Sequence, residues 1–551
     1  MFNILDEPWL TVRPAASGPA EEVGVRQLLL EADRFADLVV DLPTQKPAIF
    51  RQLLLPIVVD ALGRPANAAG WADRFRAESF ARDERERLDA YFDEHRHHFD
   101  LFHPDDPFAQ VPGLRTAKGE TKGSALLVAT AATGNNVPLF ASRTEGDPLE
   151  LTPAEAARWL LHTHCWDTAA IKTGAVGDSK VKAGKTTGNP TGPLGQLGVV
   201  MPVGRTLYET LLLNIPFGQA LLGDDLPQWK RRDAGHPLSC ATPAWESRAP
   251  RGLLDTWTWQ SRRIRLIPEE TAAGLRVTRV IVAAGDRIRL LPDHEPHTAW
   301  AVDTRKPTAK SAPPSYRPRR HQPGRAAWRG LDALLAVNGT RDERTGFQTS
   351  ELLRSLAETR ERLPSAYPLQ LELTGITYGN QSAVIEDVFF DEIPLPVAAL
   401  DPDGIVYDSL LEAVDQAEKL ANAVNLLSAD LRRAAGADPI PWDKGQRPGD
   451  TLLHALDPLV RRLLTGLRTA GEDFERSERG LEAWEQRAGR EAWQVAEQVL
   501  ATAAPGVFTG RTVTRDGKDS TFRLSTAERG FRSRVDGILT RRTAARRATA
   551  S

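Results

Sequence analysis

Beyond residue 400 the chain spaces its apolar side chains three or four positions apart. Leu410, Leu411, Val414, Ala417, Leu420, Ala421, Val424, Leu427 and Leu431 form one such series, which lines them along a single helix face. The same spacing predicts four helices, over residues 406–435, 451–470, 474–501 and 525–547. Ser525 and Glu528 have the capping-box form at the start of the last. Each stripe needs a cover, and a four-helix bundle supplies one for all four.

Before residue 400 the pattern is mixed. "WLTVR" from Trp9 alternates like an edge strand, whereas "AIFRQLLLPIVVDALG" from Ala48 has the spacing of a buried helix that Pro56 kinks or breaks. "LTPAEAARWLLHTHCW" opens with Thr152 as N-cap, Pro153 at the first helical position and Glu155 three residues after the cap, a helix start with two mechanisms behind it. Between Trp245 and Trp300 apolar and polar residues alternate between turns, which predicts strands. The expected fold is therefore α+β, a large mixed N-terminal domain over residues 1–400 followed by a four-helix bundle over 401–551. No long-period repeat is visible.

A chain of 551 residues exceeds what one core supports, in keeping with two domains. Its two cysteines, Cys165 and Cys240, cannot build a disulfide framework and have no zinc-ligand spacing, so a reducing cytoplasm is expected. No apolar run is long enough to span a bilayer. The net charge of -3 excludes an evenly basic surface and directs attention to local blocks. Residues 305–329 hold eight basic residues and no acidic one, "RRTAARR" begins at Arg541, and residues 172–205 carry five basic residues against Asp178 alone. Such blocks suit a path for nucleic acid, and equally suit solvated loops.

Three stretches could carry chemistry. "IKTGAVGDSKVKAGKTTGNPTGPLG" from Ile171 contains "AGKTTG", yet a P-loop needs glycine where Ser179 stands, and without it the backbone cannot wrap phosphate. A flexible linker and a backbone-exposing surface remain open. "EHRHHFDLFHPDDPF" gathers His95, His97, His98, His103, Asp100, Asp105 and Asp106. A metal-dependent nuclease would need His95, His97 and Asp100 to converge on an ion, and the alternative is a polar helix end running into a loop. "TGITYGNQSAVIEDV" from Thr374 reads as a turn between two strands.

Taken in order, "FNILDEPWLTV", "HPDDPFAQ", the glycine stretch followed by "VGRTLYETLLLN", "YGNQSA" and the terminal helices resemble the large-subunit (CasA) family of the type I-E CRISPR surveillance complex, Cascade. The resemblance spans essentially the whole chain and implies a non-catalytic, cofactor-free subunit of an antiviral RNA-guided complex. Such a subunit reads the protospacer-adjacent motif (PAM) of double-stranded DNA through the minor groove, helps open the duplex for R-loop formation, and recruits a helicase-nuclease. Its partners would be that DNA, the guide RNA, the other Cascade subunits and the effector. The resemblance places a PAM-reading loop at Lys172, Thr173, Gly174, Ala175, Val176 and Gly177. A narrow minor groove favours backbone without side chains, while Lys180, Lys182 and Lys185 would neutralise phosphates. A wedge falls on Gln381, flanked by Asn380 and Ser382. The family's lysine finger has no lysine here, only Arg287 and Arg289. Guide-RNA docking falls on Asn135, Asn136, Leu139 and Phe140. A protein-interaction scaffold that ignores DNA sequence is the remaining reading.

Overall fold

The computed structural model describes every residue except 1, 134–147, 233–235, 237, 289–290, 292–294, 304–314, 338–345, 442–444, 446, 472, 516–517 and 551. The chain forms two compact units. The first comprises residues 1–325, 336–362 and 369–392, and the second 326–335, 363–368 and 393–551.

The first unit mixes short sheets with helices. Leu10–Pro14 pairs antiparallel on both sides, with Glu21–Val23 and Phe35–Val39. It is thus the central strand of three, and the expected edge position is corrected: Leu10 and Val12 are buried beneath it and both backbone edges are used. The apolar run around Pro56 stays helical throughout. Gln45–Ile49 and Leu55–Leu62 are α-helical, and the intervening Phe50–Leu54 widens into a π-helical turn just before the proline, a local adjustment that accommodates an interrupted hydrogen-bond ladder. Arg262–Thr271 and Gly274–Ala284 form a long antiparallel hairpin, with Ile264, Val280 and Val282 among its buried side chains.

Two elements of this unit frame the site. The helix Pro153–Trp166 begins as expected: Thr152 Oγ1 accepts from the Glu155 N–H at 3.2 Å, and Glu155 Oε2 accepts from the Thr152 N–H at 2.8 Å. Gln370–Tyr378 is the middle strand of a three-stranded sheet, between Ile385–Pro394 and Val199–Val203. The two elements share a core in which Cys165 and Trp166 pack with Leu194, Val199 and Ile376.

In the second unit the helices are Ile405–Ala434, Pro448–Ala470, Phe474–Ala501 and Leu524–Ile538, with a further helix at Thr540–Ala550. The first supplies Leu410, Ala417, Leu420, Val424 and Leu427 to the core, all nearly inaccessible to solvent, so its stripe does what its spacing requires. Gly449 lets the second helix start against the first: a Cβ there would lie 2.5 Å from the Ala421 carbonyl oxygen. Two expectations are corrected. The chain leaves the Arg511–Arg515/Lys518–Phe522 hairpin directly into the fourth helix, so Arg523 is the boundary residue, Thr526 Oγ1 accepts its N–H at 3.1 Å, and Ser525 lies inside the helix. The last helix also breaks at Leu539, where φ -100° and ψ 74° are non-helical.

Candidate nucleic-acid interface

The glycine stretch is an ordered hairpin. Lys172–Thr173 pairs antiparallel with Lys185–Thr186, and inside this pair Lys182 and Lys185 exchange backbone hydrogen bonds of 2.9 and 3.0 Å around Ala183 and Gly184, both at positive φ. Asp178 organises the rest. Its buried carboxylate accepts from the Lys180 N–H at 2.8 Å, Thr186 Oγ1 at 3.3 Å and Trp245 Nε1 at 3.0 Å. The linker reading is therefore excluded, and so is a free choice at the glycines. A Cβ on Gly174 would come within 2.5 Å of Val181 Cγ1 and 2.9 Å of the Gly184 carbonyl group, whose oxygen accepts the Gly174 N–H at 2.8 Å. Gly177 has φ +95°, a conformation that an L side chain strains. The hairpin's own closure thus requires glycine at 174, and its backbone conformation favours glycine at 177.

Other expected contacts sort by exposure. Lys172 is buried and its Nζ lies 2.6 Å from Asp167 Oδ2, so its ammonium is not offered to phosphate. Ala175 is buried against Val111, Leu114, Ile281 and Ala283. Thr173 is half-buried, while Val176, Gly177, Lys182 and Lys185 are exposed. Lys180 is exposed too but occupied, its Nζ 4.5 Å above the Trp245 ring and donating to the Trp245 carbonyl. A second cation on that ring is Arg287, with Cζ 4.0 Å from the centroid and Nη2 donating to the Thr187 carbonyl at 2.7 Å and to Asn189 Oδ1 at 3.1 Å. Of the two arginines near the missing lysine finger, Arg287 thus stands beside the hairpin. Arg289 lies outside the described residues, as do Asn135, Asn136, Leu139 and Phe140.

The turn carrying Gln381 is held against the root of this hairpin. The Ser382 carbonyl accepts the Ala169 N–H at 2.8 Å, and the Tyr378 hydroxyl donates to the Trp166 carbonyl at 2.6 Å. Ala383 and Ile385 line the same cavity of about 460 Å³ as Ile171, Lys172 and Thr173. Between helix and hairpin sits Asp167. Burial raises its pKa, and Lys172 and Arg262 more than reverse that, leaving it at about 2. Arg262 also donates to the carbonyls of Thr168 and Pro190, each at 2.8 Å, so one arginine ties both ends of the loop. Gln381 and Ser382 occupy the left-handed region at φ 52° and 55°, although neither is glycine. Such residues are held about 1–3 kcal/mol above relaxed backbone each. Asn380 and Gln381 are exposed.

The histidine-rich stretch does not bring its expected trio together. His95 is buried with its ring 4.5 Å from that of Tyr91, and Asp100 is buried with Oδ1 accepting the Phe102 N–H at 3.1 Å. His97, His98 and Asp106 do converge, their ligand atoms within 4.8 Å of one another. Asp106 is already engaged by Arg232 and, at 2.5 Å, by His98 Nδ1. Burial raises the carboxyl while these two partners pull it down to about 2, so its charge is already matched by a guanidinium. The neighbouring Gln110, part of the "HPDDPFAQ" motif, is a buried clip: Nε2 donates to the Leu101 carbonyl at 2.8 Å and Oε1 accepts the Leu266 N–H at 2.7 Å.

Residues 3–495 match the model of the CRISPR-associated protein Cse1 family. The chain belongs to the Cse1 family. A crystal structure of Thermobifida fusca Cse1 superposes with a TM-score of 0.81 at 32% identity, covering 98% of each chain. The CRISPR-associated protein CasA/Cse1 of Thermus thermophilus is 28% identical over 525 residues, 91% of this chain and 94% of the relative. A chain of a CRISPR RNA-guided surveillance complex, 22% identical, shares the fold with a TM-score of 0.62 over 91% of this chain and 99% of its own. The family resemblance read from the motif order is thereby established for this Cse1-family chain, as is the mixed α+β class with its helical C-terminal region.

Proposed function

We propose that this chain is the non-catalytic large subunit of a CRISPR RNA-guided surveillance complex, and that the 172–186 hairpin and the Gln381 turn read the PAM and open the duplex beside it. The observation that carries this reading is the bond between Ser382 and Ala169. It fixes an exposed side-chain amide, carried on left-handed backbone, at a set place beside a loop rimmed by Lys182 and Lys185. A wedge must not move when it meets the stack. Unstacking a base step costs about a few kcal/mol, and pairing with guide RNA largely offsets what the duplex loses. The lysines supply a sequence-blind attraction to phosphate. With Gly174 buried in the hairpin's own closure, base-edge contacts fall to the exposed Val176–Gly177 shoulder and the turn. Guide RNA, the other Cascade subunits and a helicase-nuclease are the partners this function brings.

The test uses the assembled complex. Gln381→Ala should lower R-loop formation, followed by permanganate reactivity of target thymines, about tenfold, equivalent to about 1.4 kcal/mol of lost wedge action. Duplex affinity should change far less. Equal loss of both would sink the wedge. Lys182→Ala with Lys185→Ala should weaken binding alike on all flanking sequences and reduce the salt slope by up to about 0.9 per lost phosphate contact.

A further inference from the structure

In the second unit, a cavity of about 590 Å³ opens along the groove between the helices Pro448–Ala470 and Phe474–Ala501. Its floor is apolar, made by Leu459, Leu463, Leu467 and Trp484. Its rim is cationic, with Arg462, Arg476, Arg479 and Arg487, and its lining includes no acidic residue. Several arginines elsewhere in this unit do find carboxylates: Arg541 meets Glu412, Glu478 and Glu485, Arg329 meets Glu418, and Arg532 meets Glu528. Among the described residues, Arg476 alone of the rim arginines has a carboxylate partner, Asp473 at 3.6 Å. Arg479 donates to the Glu475 carbonyl, and Arg462 and Arg487, both exposed, have no ion pair among the described residues.

Two glycines sharpen the picture. Gly466 and Gly480 lie inside the two helices and both line the groove. A glycine there is about 1 kcal/mol less favourable than alanine, so an internal packing reason is expected. There is none: a Cβ at Gly466 would meet nothing within 4 Å, and one at Gly480 would make ordinary contacts of 3.6 and 3.8 Å with Leu463 and Leu467. What the missing side chains provide is low walls, which let another backbone come close.

We infer that this groove docks an amphipathic helix from a partner protein, its apolar stripe on the leucine floor and acidic side chains on both flanks meeting the arginine rim. Bidentate carboxylate recognition is what arginine does best, and a helix laid in a groove is a standard mode of protein recognition. A single-stranded nucleic acid fits less well, because it requires exposed rings for base stacking, and Trp484 is only 3% exposed.

Three probes and the full-length chain test it by fluorescence anisotropy: a helical peptide roughly 18 residues long with a leucine stripe flanked by glutamates, its lysine-flanked counterpart, and a single-stranded oligonucleotide. The acidic peptide should bind at least about tenfold tighter than the basic one. Arg462→Glu with Arg487→Glu should remove that preference, and Gly480→Leu, which fills the groove, should abolish binding while the melting temperature stays within a few degrees of wild type. A photo-crosslinker on the bound peptide should label residues 459–487. The inference is overturned if the two peptides bind alike, if the acidic peptide ignores both variants, or if the oligonucleotide is the probe that the arginine changes release. DNA reading by the first unit, measured in the same preparation, should be unaffected either way.

Discussion

His162 and His164 sit on the Pro153–Trp166 helix, fully enclosed, and are kept neutral by burial, which pushes their pKa values down to about 3 and about 4. His162 Nε2 meets Thr44 Oγ1 at 2.9 Å and His164 Nε2 meets the Ala109 carbonyl at 2.9 Å. The unfolded chain takes up a proton at each near pH 6.5, and the folded chain does so only several pH units lower. Stability is therefore retained above pH 6.5 and declines as pH falls from there towards 4, by up to about 1.4 kcal/mol per pH unit for each histidine. His164→Gln, whose Nε2 can still donate to Ala109, should make the pH dependence of urea unfolding shallower by that amount, and an unchanged slope would show that His164 is not buried neutral. At this scale the sequence announced some roles and hid others. Thr152 and Glu155 could be read because a cap depends on local spacing. The burial of Lys172 could not, because Arg262, which shares its carboxylate, lies ninety residues away. Gly174 was visible as a glycine, but its reason, the carbonyl of Gly184, appears only once the hairpin closes.

Among the elements, the 172–186 hairpin depends on one side chain more than on its short strands. Asp178→Ala should leave Trp245 Nε1 and the Lys180 N–H without their acceptor, a local loss of about 2 kcal/mol. Hydrogen exchange of residues 172–186 should then quicken roughly 30-fold, while amides of the Pro153–Trp166 helix keep their protection. Equal acceleration in both would mean that the hairpin has no stability of its own to lose. The first three bundle helices were legible from apolar period alone, to within three residues at most of their ends, and so was the strand–turn–strand around Gln381, because both patterns repeat over many residues. The short strand Leu10–Pro14 was misplaced to an edge since alternation says which face is buried and nothing about how many neighbours a strand has. The break at Leu539 escaped because "GILTRRTAARR" contains neither glycine nor proline at the break itself. What stops the helix there is tertiary: Glu485, fully buried, accepts the Arg542 N–H at 2.9 Å and draws the chain into a new helix.

For the whole molecule, the last of these contacts sets an expectation about the second unit. Glu485 is served by Gln416 Nε2 at 3.0 Å and Arg541 at 3.2 Å, and Gln416 in turn accepts from Trp484 Nε1 at 2.8 Å. Arg541 belongs to a basic block that the sequence left open as a DNA path, and its guanidinium is committed to three glutamates instead. Removing it leaves a buried charge short of its partner, so Arg541→Ala should destabilise this unit by about 3 kcal/mol, measured by chemical denaturation, whereas the exposed Arg547→Ala should fall within about 0.5 kcal/mol of wild type. Among the described residues no helix is long and apolar enough to cross a membrane. The join between the Gln381 turn and the Pro153–Trp166 helix has a longer consequence. Its key hydrogen bond uses a main-chain donor at Ala169 and a main-chain acceptor at Ser382, so almost any residue except proline at 169 would preserve it. Across an evolving lineage the two positions are free to drift independently, and statistical coupling between them would stay silent even where the loops act as one tool.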